Sequence, residues 1–411
     1  MKFSVEKVVG GGRLGTILPS GPHGSTALET PMCTLYTRGG SAPHLGVDML
    51  KRVSNVPDIA AMSLGSLAPH HENIRDFGKG IGEFAALKSS LIFTTLHDAS
   101  AAVTSGKNDR NGVAVWGKGG KFKMDPSLFV KVQEALRPDW FQALSDGDTD
   151  KHTAKKRLAK AVNNTLDFLD GILELTKNNK ILKDASLIGA IEGGFDEEER
   201  KRSAKETAAR PVHGFLIEGF EKGHSGVDLF SIDSFTKLLE KTVSFLPEDK
   251  PRIMETVWSP LQIVKAFNLG IDVFSSSYPY LLTERGQALV ADYTIPSSSP
   301  AARLENKGSP NGALSTTSGF YVNLKDKCYF EDFSPVLTEC DCYCCATFTR
   351  SYIHHLLNTS ELLAYVLLMI HNFHQYFHFF NCLRRSAREG TLEDLQASLE
   401  AQMNSKPSSE T

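Results

Sequence analysis

Four of the chain's seven cysteines fall within six consecutive residues, Cys340-Asp341-Cys342-Tyr343-Cys344-Cys345. Thiolates are soft ligands, and tetrahedral zinc accepts several of them from one tight turn. Thiols this crowded point to a metal site more than to separate buried cysteines or a redox pair. Three of the four can face one ion, so Cys344 or Cys345 must turn away. The remaining ligand is sought among His354, His355, His371, His374 and His378. His371, His374 and His378 recur at spacings that share a helix face, but spacing alone does not choose among the five. Sulfur and nitrogen donors without a glutamate base beside them describe a closed, structural zinc site. No H-E-x-x-H run occurs. Pro69-His70-His71-Glu72 lacks the second spaced histidine and reads as a helix start after a proline.

A chain of 411 residues, 41% of them hydrophobic, can bury the core of one large α/β domain or two smaller ones. A net charge of -3 excludes a global basic field, so any nucleic acid is met by a local patch or within a complex. Arg384, Arg385 and Arg388 form one basic run, and Lys155, Lys156 and Arg157 another; a solvated helix face explains each equally well. The aromatic residues Phe373, Tyr376, Phe377, Phe379 and Phe380 suit a core first and a partner interface second. The N-terminus has no apolar leader, so no secretory signal is expected. The longest apolar run, residues 362–370, is far short of the roughly 20 residues that cross a bilayer, and a buried helix with no membrane segment is expected. A cytoplasmic, reducing setting follows, in which the cysteines serve as thiols or metal ligands.

These groups need a scaffold. Apolar runs at 32–36, 90–95, 140–144, 187–191, 214–217, 252–257 and 271–276 do not alternate, as expected of parallel strands buried on both faces. Residues 113–116 and 121–123, joined by Gly117-Lys118-Gly119-Gly120, read as a hairpin. Helices are expected over 127–136, 152–177, 197–210, with its acidic start and basic end, and 261–268, opened by Ser259-Pro260 and closed by Gly270. About seven β–α repeats over 280 residues point to a (β/α)8 barrel more than to an open sheet, since no nucleotide fingerprint is present. Gly10, Gly12 and Gly15 match G-x-G-x-x-G, but Pro19 follows and no helix begins there, so a tight turn between two N-terminal strands is expected. Residues 286–317 read as a long loop, and 403–411 as a disordered tail.

Cys340-x-Cys342-x-x-Cys345 followed by His371-Asn372 resembles the zinc motif of tRNA-guanine transglycosylases. Gln133-Glu134-Ala135-Leu136 with Asp139, Gly193-Gly194, residues 214–223, Pro251-Arg252 and Gly270-Ile271-Asp272-Val273-Phe274 stand in that family's order, over roughly residues 120–390. The resemblance implies that Cys340, Cys342, Cys345 and His371 bind one structural Zn2+. It also implies an irregular (β/α)8 TIM barrel over residues 1–402, with an N-terminal antiparallel β extension and an inserted zinc-binding helical subdomain at about 328–390. Catalytic members exchange guanine in the tRNA anticodon for queuine or its precursor, through a carboxylate that forms a covalent intermediate with the ribose.

The departures from that pattern fall on the chemistry. Ser275, followed by Ser276 and Ser277, stands where the family has its nucleophilic Asp, and a neutral hydroxyl needs an adjacent base. No His or Asp lies nearby in sequence to act as that base, and Asp272 reads as a strand-end carboxylate. Ser145, in Leu144-Ser145-Asp146, replaces a base-reading carboxylate. Glu192 replaces Gln before the paired glycines. Glu218-Gly219 replaces a glycine pair, which puts a charge into a flat pocket. Asp98, after the strand at 90–95, is a distant candidate acid. No catalytic residue is therefore expected. The resemblance implies a non-catalytic subunit that pairs with a catalytic transglycosylase subunit as a heterodimer, supports tRNA in that complex, and could homodimerise alone. It further implies a cytoplasmic location peripheral to the mitochondrial outer membrane. A self-sufficient transglycosylase or nucleobase hydrolase using Glu192, Glu218 or Asp98, and a zinc-stabilised base-binding scaffold, are the competing expectations.

Overall fold

The computed structural model describes residues 1–21, 24–101, 106, 108–117, 119–220, 228–294 and 319–404. These divide into two compact units. The first comprises residues 1–42, 57–258 and 266–277; the second comprises 43–56, 259–265 and 278–411.

The first unit is the expected (β/α)8 barrel. Strands β1 (Lys2–Val9), β2 (Gly12–Leu18) and β3 (Leu28–Thr30) form an antiparallel sheet. Gly10 makes the β1–β2 turn at φ 61°, so the glycine-rich segment is a hairpin and no nucleotide loop. The barrel closes in the order β4 (Met32–Tyr36), β5 (Ile59–Ser63), β6 (Leu91–Thr95), β9 (Trp140–Gln142), β10 (Ser186–Ile191), β11 (Gly214–Ile217), β12 (Arg252–Met254) and β13 (Val273–Ser275), all parallel. The expected hairpin is β7 (Val113–Gly117) with β8 (Gly120–Met124); Lys118 in its turn lies outside the described residues.

The sequence missed β5. Ile59-Ala60-Ala61-Met62-Ser63 has one β-branched residue, so its strand preference comes from burial and neighbours rather than from its own composition. Phe3, Ile17 and Leu28 of the N-terminal sheet cluster with Met32, Ile59 and Leu91, the first residues of three barrel strands. The sheet therefore plugs the barrel's N-terminal end and leaves the opposite end for chemistry, the usual division of labour in this fold.

Asp272 is a structural carboxylate, as expected. Arg13 grips both of its oxygens, Nε at 3.0 Å, and the Arg252 backbone N–H donates to Oδ2 at 2.7 Å. Burial pushes this carboxyl up, and Arg13 opposes the shift. Removing one member of a buried pair costs about 3–5 kcal/mol, because the other charge is stranded. Arg13→Met should therefore lower stability by about that much in urea denaturation. An unmoved midpoint would show that the pair is dispensable.

In the second unit, β14 (Gln287–Leu289) pairs antiparallel with β15 (Tyr321–Asn323). This corrects the expectation of a continuous loop over 286–317: the first residues of that span are strand, and 295–318 lie outside the described residues, as does most of the expected tail. The helices Tyr343–Thr347, Arg350–Asn358, Leu362–Glu389 and Leu392–Asn404 complete the unit. Leu362–Glu389 runs 28 residues, and 18 of them are buried; burial accounts for the apolar residues 367–370, while Leu362 and Leu363 at its start are exposed. Phe373, Tyr376, Phe377, Phe379 and Phe380 lie in that core. Among the described residues, no helix is long and apolar enough to cross a membrane.

Candidate metal centre and barrel mouth

Cys340, Cys342, Cys345 and His371 converge in the second unit, with ligand atoms within 4.8 Å of one another. His371 Nδ1 lies 3.8, 3.6 and 3.3 Å from the three sulfurs. A tetrahedral ion with Zn–S bonds of about 2.3 Å separates its donors by about 3.5–3.8 Å, so these atoms already outline such a shell. The chemistry of the donors agrees. Three buried thiolates this close repel one another unless a cation stands among them, so the residues present fit a resident metal ion.

The local sequence explains the assembly. Cys342 caps the short helix Tyr343–Thr347, its sulfur accepting the Cys345 N–H at 3.4 Å, which turns Cys345 back toward Cys342. Cys344 points elsewhere into the core, and burial pushes its thiol up. Of the five candidate histidines, His371 is the one whose ring nitrogen lies among the three sulfurs. His371 Nε2 donates to the Leu289 carbonyl at 2.8 Å, which fixes the tautomer and aims Nδ1 at the sulfurs. The neighbouring Asn372 accepts the Leu289 N–H at 2.7 Å and donates to Thr283 Oγ1 and the Gln287 carbonyl, both at 2.9 Å. Two successive residues thus join the metal site to β14. The other histidines have separate roles: His354 bonds the Leu324 carbonyl, His374 meets Asp341, His378 meets Cys382, and His355 is exposed.

At the C-terminal end of the barrel strands lies a pocket of about 690 Å³, including its open mouth. Asp98, Gln142, Glu218, Gly219 and Glu255 contribute to its walls. Ser275 is fully buried and accepts the Ser277 N–H at 3.2 Å. Its hydroxyl also bonds Glu255, whose Oε1 accepts the Thr34 hydroxyl at 3.1 Å. Burial pushes the Glu255 carboxyl up to about 7 against these two hydroxyls. Sequence reasoning missed this neighbour. The available signal is the register of the two strands: β12 pairs Met254 with Phe274, so the next pair in line is Glu255 with Ser275. This contact ties the Ser275 hydroxyl to a buried carboxyl where the family resemblance places an attacking carboxylate.

The other candidates are also engaged. Asp98 Oδ1 accepts the Tyr36 hydroxyl at 2.7 Å and the Ser100 N–H at 2.9 Å. Asp146 receives both Arg157 nitrogens, at 3.0 and 2.5 Å, with Asn164 and Asn108 each at 2.8 Å, so its acceptor sites are filled. Arg157 is therefore turned inward and does not extend the basic run at 155–157 as a phosphate contact. Glu218 Oε1 accepts from Gln142 Nε2 at 3.0 Å and bonds Ser145. Glu192 lies wholly buried behind it; burial pushes both carboxyls up, and for Glu192 the charge of Glu218 adds to the rise.

A profile of the family described as queuine tRNA-ribosyltransferase matches residues 9–405. Proteins named queuine tRNA-ribosyltransferase accessory subunit 2 are similar along nearly the whole chain. The Homo sapiens protein is 40% identical, across 96% of this chain and 98% of its own length. The Xenopus tropicalis protein is also 40% identical, with the same coverage. The Ixodes scapularis protein is 38% identical, across 94% of this chain and 97% of its own.

Proposed function

The chain belongs to the queuine tRNA-ribosyltransferase family, and on that premise we propose that it is a non-catalytic subunit that pairs with a catalytic transglycosylase subunit and supports tRNA in the complex. One observation carries this reading. Where the family resemblance places an attacking carboxylate, this chain has a buried serine tied to Glu255. The surrounding pocket supports it, since Gln142 already bonds Glu218 and Asp146 is saturated by Arg157, Asn164 and Asn108. Groups that would read a base are spent on one another.

The second part of the proposal is that Cys340, Cys342, Cys345 and His371 hold Zn2+. A zinc ion with four protein ligands is closed to substrate and contributes folding energy instead of Lewis-acid chemistry. The site therefore speaks for architecture, in keeping with relatives named as accessory subunits.

Labelled queuine and its cognate tRNA test the functional reading. The purified chain is expected to incorporate none, and a mixture with a catalytic subunit is expected to incorporate label and to elute as one complex. Turnover by the lone chain, or a mixture in which the two never co-elute, overturns it.

A further inference from the structure

Behind the pocket wall sits a charge imbalance that the proposed function does not use. Among the described residues, neither Glu192 carboxylate oxygen receives an N–H or O–H from a donor side chain or the backbone. The group in hydrogen-bonding reach is another acid, Glu218. Two carboxyl groups can bond only if one of them keeps its proton.

The neighbours on every adjoining element leave that need unmet. From the helix Glu197–Ala208, Arg200 supplies one positive charge, but its Nε and Nη1 are committed to the Gly194 and Ile191 carbonyls at 2.8 Å, and its buried Nη2 reaches no acceptor, Glu192 included. Its guanidinium lies over the Phe220 ring, 3.7 Å from the centroid. From the segment after β9, Asp146 adds a negative charge that Arg157 neutralises, and Ser145 and Gln142 reach Glu218 only. Across the pocket stand Asp98, Glu255 and a half-buried His97 whose imidazole desolvation pushes down to about 4. Among the described residues no second cation answers the second carboxylate, so the cluster balances with one proton held between the two acids.

Space decides which acid moves when that proton leaves. Glu192 is enclosed: a Cβ on Gly219 would stand 2.0 Å from its Oε2, and one on Gly147 2.9 Å from its Oε1. Gly219, at φ 80°, is the residue type that permits this approach. Glu218 borders open space. We infer that Glu192 and Glu218 share one proton across the pocket wall, and that its loss drives the Glu218 side chain into the cavity. The barrel mouth then carries a pH-operated latch, closed into the wall at low pH and released into the pocket as pH rises.

The sign follows from linkage. Both carboxyls are raised by folding, so the folded chain holds a proton that the unfolded chain has already lost. Stability is greatest below the ordinary carboxylate range and declines as pH climbs through the raised values. The local consequence is read by amide hydrogen exchange of the full-length, zinc-loaded chain between pH 5 and pH 9, normalised to an unstructured reference peptide. Protection over residues 216–220 is expected to fall on the order of tenfold across the window in the unaltered chain. Glu192→Gln, whose amide donates to Glu218 at every pH, is expected to hold it flat. Unchanging protection in the unaltered chain overturns the inference, and so does an equal fall in Glu192→Gln. Should that variant not fold by circular dichroism, Glu218→Gln places the permanent donor on the other partner, and a fall in protection there overturns it equally.

Discussion

Replacing Cys342 with serine is expected to abolish stoichiometric zinc and unfold the C-terminal unit. Structural zinc supplies an apparent binding free energy of about 10–16 kcal/mol in small zinc domains. Whole domains are stable by only about 5–15 kcal/mol, so the ion's contribution is comparable to everything else combined. Here the core of the second unit includes the ligands themselves, with Cys340, Cys342 and Cys345 packed beside Val322, Val336, Ile353 and Leu367. Elemental analysis should find one zinc per chain in the unaltered protein and none in Cys342→Ser, and a chelator should reproduce the loss. Cys344→Ala is the discriminating control. It removes a buried thiol from the same run but no ligand, so zinc content should stay at one with a cost of about 1–2 kcal/mol. Zinc retained in Cys342→Ser, or lost in Cys344→Ala, would show that the ligand set is wrong.

Ser275→Asp, which restores the residue type the family resemblance expects of a nucleophile, is expected to lower stability by about 2–4 kcal/mol and to yield no base exchange. Ser275 has no exposed surface, and its nearest ionisable partner is Glu255, already pushed up to about 7 by burial. A second carboxylate there must either stay protonated or repel the first. The double variant Ser275→Asp with Glu255→Gln should recover most of the loss, because it leaves one acid and adds an amide donor. Denaturant midpoints of the two single variants and the double variant give the coupling directly. Exchange of labelled guanine by Ser275→Asp alone would mean that the pocket still reads a base despite Glu218 and the saturated Asp146.

The barrel was legible because its strands are apolar on both faces, a pattern that seven of the eight carry in their own residues. β5 is as buried as the others, but its two alanines and lone isoleucine carry little strand preference of their own, and it becomes a strand through the ladder with β4 and β6. The strand ends were overestimated for a physical reason. The expected runs at 140–144 and 252–257 stop at Gln142 and Met254, and the residues beyond leave the ladder to build the mouth, Glu255 among them. Apolarity does not mark that departure. The three sulfur ligands were nearly legible because one short segment supplies them. The imidazole was not: five histidines follow, and only the Leu289 carbonyl on Nε2 shows why His371 turns its other nitrogen to the thiols. The Glu255–Ser275 contact joins residues twenty apart on neighbouring strands, and becomes visible once the register is known.

The composition of the second unit has a consequence for the order in which the chain can be finished. Residues 43–56 belong to that unit, yet its main body begins only at residue 278. At synthesis rates of about 5–20 residues per second, the early segment emerges on the order of 10 s or more before the strand and helices it belongs with. His371 appears later still, so Cys340, Cys342 and Cys345 leave the ribosome before the imidazole that they meet in the folded unit. Barrel strands on either side of residues 43–56 can pair before that segment has a partner, and the last ligand to arrive also brings Asn372, which fastens β14. The Cys3His cluster is thus completed late: a chain truncated before residue 371 would carry the whole barrel unit and a C-terminal unit that lacks the imidazole its three thiols meet.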